Sequence, residues 1–209
     1  MQENTDSQHM AEPENIKRGN RRREKKPPKK ITEKYLYNSG LAYLQRFPTS
    51  TPHFRRIMGR KIDRSCNYHK DQPKEDCISL LDKTVEAFVR MGLLNDEMYL
   101  GGMVNSLRRR GLSKQAILSK LQQKGLAQEN ILTVLRDYDE DTGVANGDLT
   151  AALKLARRKK LGPFRREGDF DKNKELAALA RAGFGFDIAQ KALGMDEEEA
   201  NGWLSSMRI

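Results

Sequence analysis

Gly92 to Leu135 reads GLLNDEMYLGGMVNSLRRRGLSKQAILSKLQQKGLAQENILTVL, and one phrase recurs around it: a large apolar residue, three residues, a glycine, another apolar residue. The copies are Phe88-x3-Gly92-Leu93, Leu107-x3-Gly111-Leu112 and Leu121-x3-Gly125-Leu126, and a fourth, Leu179-x3-Gly183-Phe184, lies near the C-terminus. A helix often closes on a glycine in the left-handed conformation, which a residue with a Cβ adopts only at a cost. In the Schellman form of that ending, the residue after the glycine packs on the residue four positions before it, and the spacing fits. Read backward, each glycine ends a helix. Read forward, Asn95 or Asp96 can cap the next one, and Ser113 another. The phrase predicts short helices joined by tight turns, and so an all-α chain.

Helical periodicity extends outward on both sides. Leu36, Gly40, Tyr43 and Phe47 fall on one face before Pro48; Phe54, Ile57, Met58 and Ile62 line a helix opened by Thr51-Pro52; Ile78 to Met91 is a third helix. Within the quoted stretch the apolar stripes are Leu100, Met103, Val104 and Leu107, then Ile117, Leu118 and Leu121, then Ile131, Val134, Leu135 and Tyr138. The acidic run Asp137, Asp139, Glu140 and Asp141 opposes the helix dipole, which predicts fraying there. Leu149, Ala152, Leu153 and Ala156 mark a further helix stopped by Gly162-Pro163, followed by helices ending at Gly183, spanning Asp187 to Leu193, and capped by Asp196. The reading is three groups of about three helices, residues 31–94, 95–145 and 146–209. Such repeats bury too little surface alone and stack into an elongated array.

Of 209 residues, 37% are hydrophobic and 33% charged, with a mean hydropathy of -0.80, which argues against one large globule. Two cysteines cannot form a disulfide framework, and no apolar run is long enough to span a bilayer or serve as a signal peptide; a cytoplasmic protein is expected. The formal charge of +10 is concentrated: Lys17 to Lys30 holds nine basic residues against Glu24, a net +8. Residues 1–30, rich in polar residues and closed by Pro27-Pro28, read as a disordered basic arm. Its Arg21, Arg22, Arg23, Lys25 and Lys26 suit either an accessory tether to DNA or a solubilising extension.

The body carries basic faces of its own. Arg55, Arg56, Arg60, Lys61 and Arg64 read as solvated surface. The candidate interaction residues are Arg108, Arg109 and Arg110, with Arg157, Arg158, Lys159 and Lys160, although each run also suits an ordinary solvated face. Cys66 to Cys77 reads as a polar loop. Cys66-x2-His69-x7-Cys77 offers only three ligands at irregular spacing, which favours free thiols over zinc, and no metal or other cofactor is expected. His9, His53 and His69 belong to no catalytic motif, and Gly101-Gly102 lacks the lysine and serine of a phosphate-binding loop, so catalysis is not expected.

The order of several motifs resembles the RecX family: Gly92-Leu93-Leu94-Asn95-Asp96-Glu97, then Leu107-Arg108-Arg109-Arg110-Gly111-Leu112-Ser113, Ile117, Leu121, Lys124-Gly125 and Ile131. Ala42-Tyr43-Leu44-Gln45-Arg46 before Ser50 resembles the family's opening helix pair, and Lys160-Leu161-Gly162-Pro163-Phe164 with Leu179-Ala180-Arg181-Ala182-Gly183-Phe184 resembles its third repeat. The basic arm and the Cys66–Cys77 segment lie outside the pattern. The resemblance implies tandem three-helix repeats and a modulator of the RecA recombinase; an elongated monomer is the default expectation. Such a modulator lies along the groove of the RecA filament on single-stranded DNA, suppressing strand exchange and ATP hydrolysis and favouring filament loss. Basic patches would touch single-stranded and also double-stranded DNA. The alternative is a helix-turn-helix DNA binder acting without RecA, which calls for one dominant recognition helix. The basic residues are instead spread over several helices, which suits backbone contact better than base readout.

Overall fold

The computed structural model describes residues 27–143, 146–166 and 170–205. Among them are ten α-helices and one 3-10 turn, Gly162–Phe164, with no strand. The helices are α1 (Glu33–Leu44), α2 (Thr51–Tyr68), α3 (Lys74–Arg90), α4 (Asp96–Arg109), α5 (Lys114–Gln122), α6 (Gln128–Asp141), α7 (Gly147–Lys159), α8 (Lys172–Arg181), α9 (Phe186–Gly194) and α10 (Glu197–Ser205). Side chains of Thr32, Ser50, Asn95, Ser113, Asn146 and Asp171 each accept a backbone N–H at a helix start.

The recurring glycine phrase closes helices as its spacing predicts. Gly92, Gly111, Gly125 and Gly183 all have positive φ. The N–H after each glycine reaches the carbonyl of the apolar residue that opens the phrase: Leu93 to Phe88 (2.9 Å), Leu112 to Leu107, Leu126 to Leu121 and Phe184 to Leu179 (3.2 Å each). These are Schellman endings.

Buried apolar side chains gather into three separate clusters. The first centres on Leu36, Phe54, Met58, Ile62 and Phe88 from α1–α3. Gly40 permits it, because a Cβ there would stand 2.7 Å from the Phe88 ring and 2.8 Å from the Phe54 ring. The second joins Val104, Ile117, Leu121, Ile131 and Leu135 from α4–α6. The third joins Leu149, Leu153, Leu179, Ala192 and Ala200, with alanines 151, 152 and 156 of α7 buried in the same cluster.

Four expectations are corrected. Cys66 to Cys77 is not a loop: α2 runs to Tyr68 and α3 starts at Lys74, four residues earlier than Ile78. The connection itself is only residues 69–73; Asn67, Lys74, Glu75 and Asp76 lie on exposed helix faces, while Cys77 turns into the first cluster with its Sγ 3.7 Å from that of Cys66. Burial, with Cys66 adding, pushes the Cys77 thiol up to about 11. The acidic end of α6 does not fray before Asp141, because Asp139 is bound by Arg108, and Arg136 pairs with Asp137 and Glu140. Helix α7 ends at Lys159, and its cap Lys160 takes the left-handed conformation, φ 58°, ahead of Gly162-Pro163. Phe47 lies beyond the end of α1 and is 48% exposed, since the chain leaves the helix at Leu44.

The groups join by one rule used twice. The N-capping serine of a second helix donates its hydroxyl to the carbonyl just before the closing glycine of the next group's second helix. Ser50 reaches Lys124 at 2.6 Å, and Ser113 reaches Ala182 at 2.8 Å. The following backbone N–H, of Thr51 or Lys114, donates to a carboxylate in the next group's first helix, Asp96 (2.6 Å) or Asp148 (2.7 Å). Ser113→Ala removes a helix cap and a junction bond together, and should cost about 1–2 kcal/mol in a denaturant melt. An unchanged midpoint would mean the junction is not held this way.

Candidate functional site

The second junction carries the densest concentration of candidate residues, and it divides them. Arg108 does not serve as an exposed contact. Its side chain is only 6% exposed, its Nε and Nη2 bind the Asp139 carboxylate at 3.0 and 2.7 Å, and its Nη1 binds Asp148 at 2.7 Å and the Leu112 carbonyl at 3.0 Å. Burial works against the charge, but the two carboxylates outweigh it and hold the guanidinium above its ordinary value. Arg108 is a clasp between α4, the end of α6 and the start of α7. At about 100° per residue, three consecutive arginines cannot share one face, so this one follows Leu107 into the interior.

Arg109 and Arg110 are exposed at the end of α4. The structure brings them to the second basic run. Arg158 Nη1 lies 3.5 Å from the Arg110 carbonyl, and Gly111 rests so close to α7 that a Cβ there would stand 3.2 Å from Lys154 Cβ and 3.4 Å from the Ala151 carbonyl. Lys154, one turn before Arg158 on the basic face that the sequence places outward, belongs to the same patch but is half-buried at this contact. Burial, and then Arg108 and Arg109, hold its ammonium below the ordinary range. Arg157 is steadied by Asn201 of α10 and by the Phe164 ring, 5.0 Å away. Lys159 and Lys160 are exposed beyond it.

Among the described residues, none of Arg109, Arg110, Lys154, Arg157, Arg158, Lys159 and Lys160 has a carboxylate partner. The patch is therefore a positive surface without a paired carboxylate among the described residues, built on two helix ends and suited to phosphates or to an acidic protein face. Arg21, Arg22, Arg23, Lys25 and Lys26 lie outside the described residues. No helix among the described residues is long and apolar enough to cross a membrane.

Comparison with known proteins decides the family. The Regulatory protein RecX of Myxococcus xanthus (strain DK1622) is 38% identical over 171 residues, which cover 80% of this chain and 89% of the relative. The chain belongs to the RecX family. The Regulatory protein RecX of Agrobacterium fabrum (strain C58) is 39% identical over 114 residues, 54% of this chain and 58% of that protein. That of Pelodictyon phaeoclathratiforme (strain DSM 5477) is 28% identical over 127 residues, 57% and 74% respectively. No family model matches the chain. A RecX-type regulatory protein is thus the function these relatives support, and their names describe regulators rather than enzymes.

Proposed function

We propose that this RecX-family chain acts in the cytoplasm as a monomer on the RecA recombinase filament, restraining its ATPase, strand exchange and growth during DNA repair and recombination. Residues 31–94, 95–145 and 146–209 serve as three stacked units that lie along the filament. The observation that carries the reading is the convergence of Arg109 and Arg110 with Lys154 and Arg158 at one junction, with Arg157, held by Asn201 and the Phe164 ring, next to Arg158 on α7. This surface needs two units to exist, and it presents cations that have no carboxylate partner among the described residues to the filament's DNA or to acidic faces of RecA. A helix-turn-helix reader would gather its contacts on one helix, whereas here two helix ends share them. No cofactor enters the mechanism, because the regulator works by occupancy.

The test is charge reversal. Arg157→Glu with Arg158→Glu should weaken inhibition of RecA's DNA-dependent ATPase about tenfold or more, with helicity unchanged. Inhibition equal to that of the natural chain at matched helicity removes this patch from the interface.

A further inference from the structure

The basic face of α2, read from sequence as solvated surface, is sorted by the structure into two sets. Arg55 pairs with Asp82 of α3, and Lys61 Nζ sits 5.9 Å from the Tyr35 ring centroid, so both serve packing within the first group. Arg56, Arg60 and Arg64 are exposed, and none has a carboxylate partner among the described residues. With His53 they follow i, i+3, i+7, i+11 spacing, which places them along one stripe of the helix about 16 Å long.

At its N-terminal end the stripe meets the second group. Arg56 donates to the Gln123 carbonyl at 2.6 Å and lies 3.3 Å from His53 Nδ1, while His53 Nε2 is 3.4 Å from Lys124 Nζ. Burial, then Lys124, Arg56 and Arg60, hold the imidazole below its ordinary value. The junction carboxylate Asp96 of α4 accepts the Thr51 N–H. Among the described residues, neither Arg56 nor Lys124 has a carboxylate partner here.

At the other end, residues 28–31 are strapped to the close of α2. Ser65 donates to the Lys29 carbonyl (2.9 Å), His69 Nε2 lies 2.8 Å from the Pro28 carbonyl, and Lys30 pairs with Asp71. The Gln72 amide pairs with the Ile31 backbone in both directions, at 3.0 and 2.6 Å. The basic segment 17–30 therefore joins the body where the stripe ends.

We propose that His53, Arg56, Arg60 and Arg64, with Lys124, form a rail for the phosphates of a nucleic-acid backbone, leading from the first junction to the root of the basic N-terminal segment. Arginine forks match phosphate oxygens, and His53 adds a donor once protonated. No large apolar residue of α2 is exposed between His53 and Arg64, and Tyr68, one turn beyond Arg64 and 61% exposed, is the single large ring the stripe offers a protein partner. Bound phosphate favours the charged imidazole, so binding takes up a proton and strengthens as pH falls. The rail is distinct from the patch at the second junction and does not depend on RecA.

The test is anisotropy of a labelled single-stranded oligonucleotide with the full chain across a salt series at pH 5.5 to 8. Arg60→Glu with Arg64→Glu, which leaves the Arg56 bond to Gln123 intact, should weaken binding about tenfold or more. It should also flatten the slope of log affinity against log salt by about 1.4. The same change of charge on α3, Lys83→Glu with Arg90→Glu, should change affinity less than about threefold, and His53→Gln should lose part of the gain toward low pH. Unchanged affinity and slope at natural helicity would overturn the proposal, as would an equal loss from the α3 pair. So would a loss of polyglutamate binding with oligonucleotide binding intact, which would assign the rail to acidic protein. None of these readouts involves RecA, so failure here and failure of the filament reading are separable.

Discussion

Arg108→Ala should cost the folded chain about 3 kcal/mol, whereas Arg109→Ala, its neighbour, should cost less than about 0.5 kcal/mol. The first change leaves Asp139 and Asp148, 20% and 23% exposed, without their shared cation, and frees the Leu112 carbonyl. Breaking a fully buried pair costs about 3–5 kcal/mol, and the carboxylates' partial exposure places this one at the lower end. Lysine at this position would not restore the clasp, because one ammonium cannot reproduce the fork that serves two carboxylates and a carbonyl. Denaturant melts of the two alanine variants decide the matter. Equal midpoints would mean that Arg108 is as dispensable to the fold as an exposed arginine.

Gly125→Val should cost about 3 kcal/mol or more, through two additive causes. Gly125 has φ +83°, so a β-branched residue pays for the left-handed conformation, roughly 1–2 kcal/mol. The new Cβ would also stand 2.5 Å from Pro52 Cβ across the first junction, and overpacking of that kind costs about 1–3 kcal/mol. Gly92 separates the causes, since it has φ +71° with nothing within 4 Å of an added Cβ. Gly92→Ala should therefore show the conformational cost alone. Equal losses for Gly125→Ala and Gly92→Ala would mean that Pro52 yields freely and the junction is loose.

These two residues show what the sequence exposes and what it hides. The helix-closing role of Gly125 is local: Leu121, three residues and Leu126 suffice to predict it. Its second role, receiving Pro52 and the Ser50 bond to Lys124, joins residues more than seventy positions apart, and no local period encodes that distance. Arg108 was legible as a cation but not as a buried one, because its acceptors lie 31 and 40 residues downstream. The Cys66–Cys77 segment misled for a different reason. A helix whose exposed face is polar looks like a loop when its inward residues are serine and cysteine rather than leucine. Likewise Arg56, Arg60 and Arg64 looked ordinary until Arg55 and Lys61 were seen to be engaged elsewhere. The resemblance to the RecX family, by contrast, rests on the order and spacing of several motifs that stand in the sequence itself.

Regulation of RecA by occupancy of its filament is the central proposal. The most direct test is the DNA-dependent ATPase rate of the cognate RecA with substoichiometric amounts of the natural chain at two salt concentrations. The account predicts inhibition at both, weaker but still present at the higher salt, where purely electrostatic contact with DNA fades. An ATPase rate unaffected by the chain at either salt would contradict it.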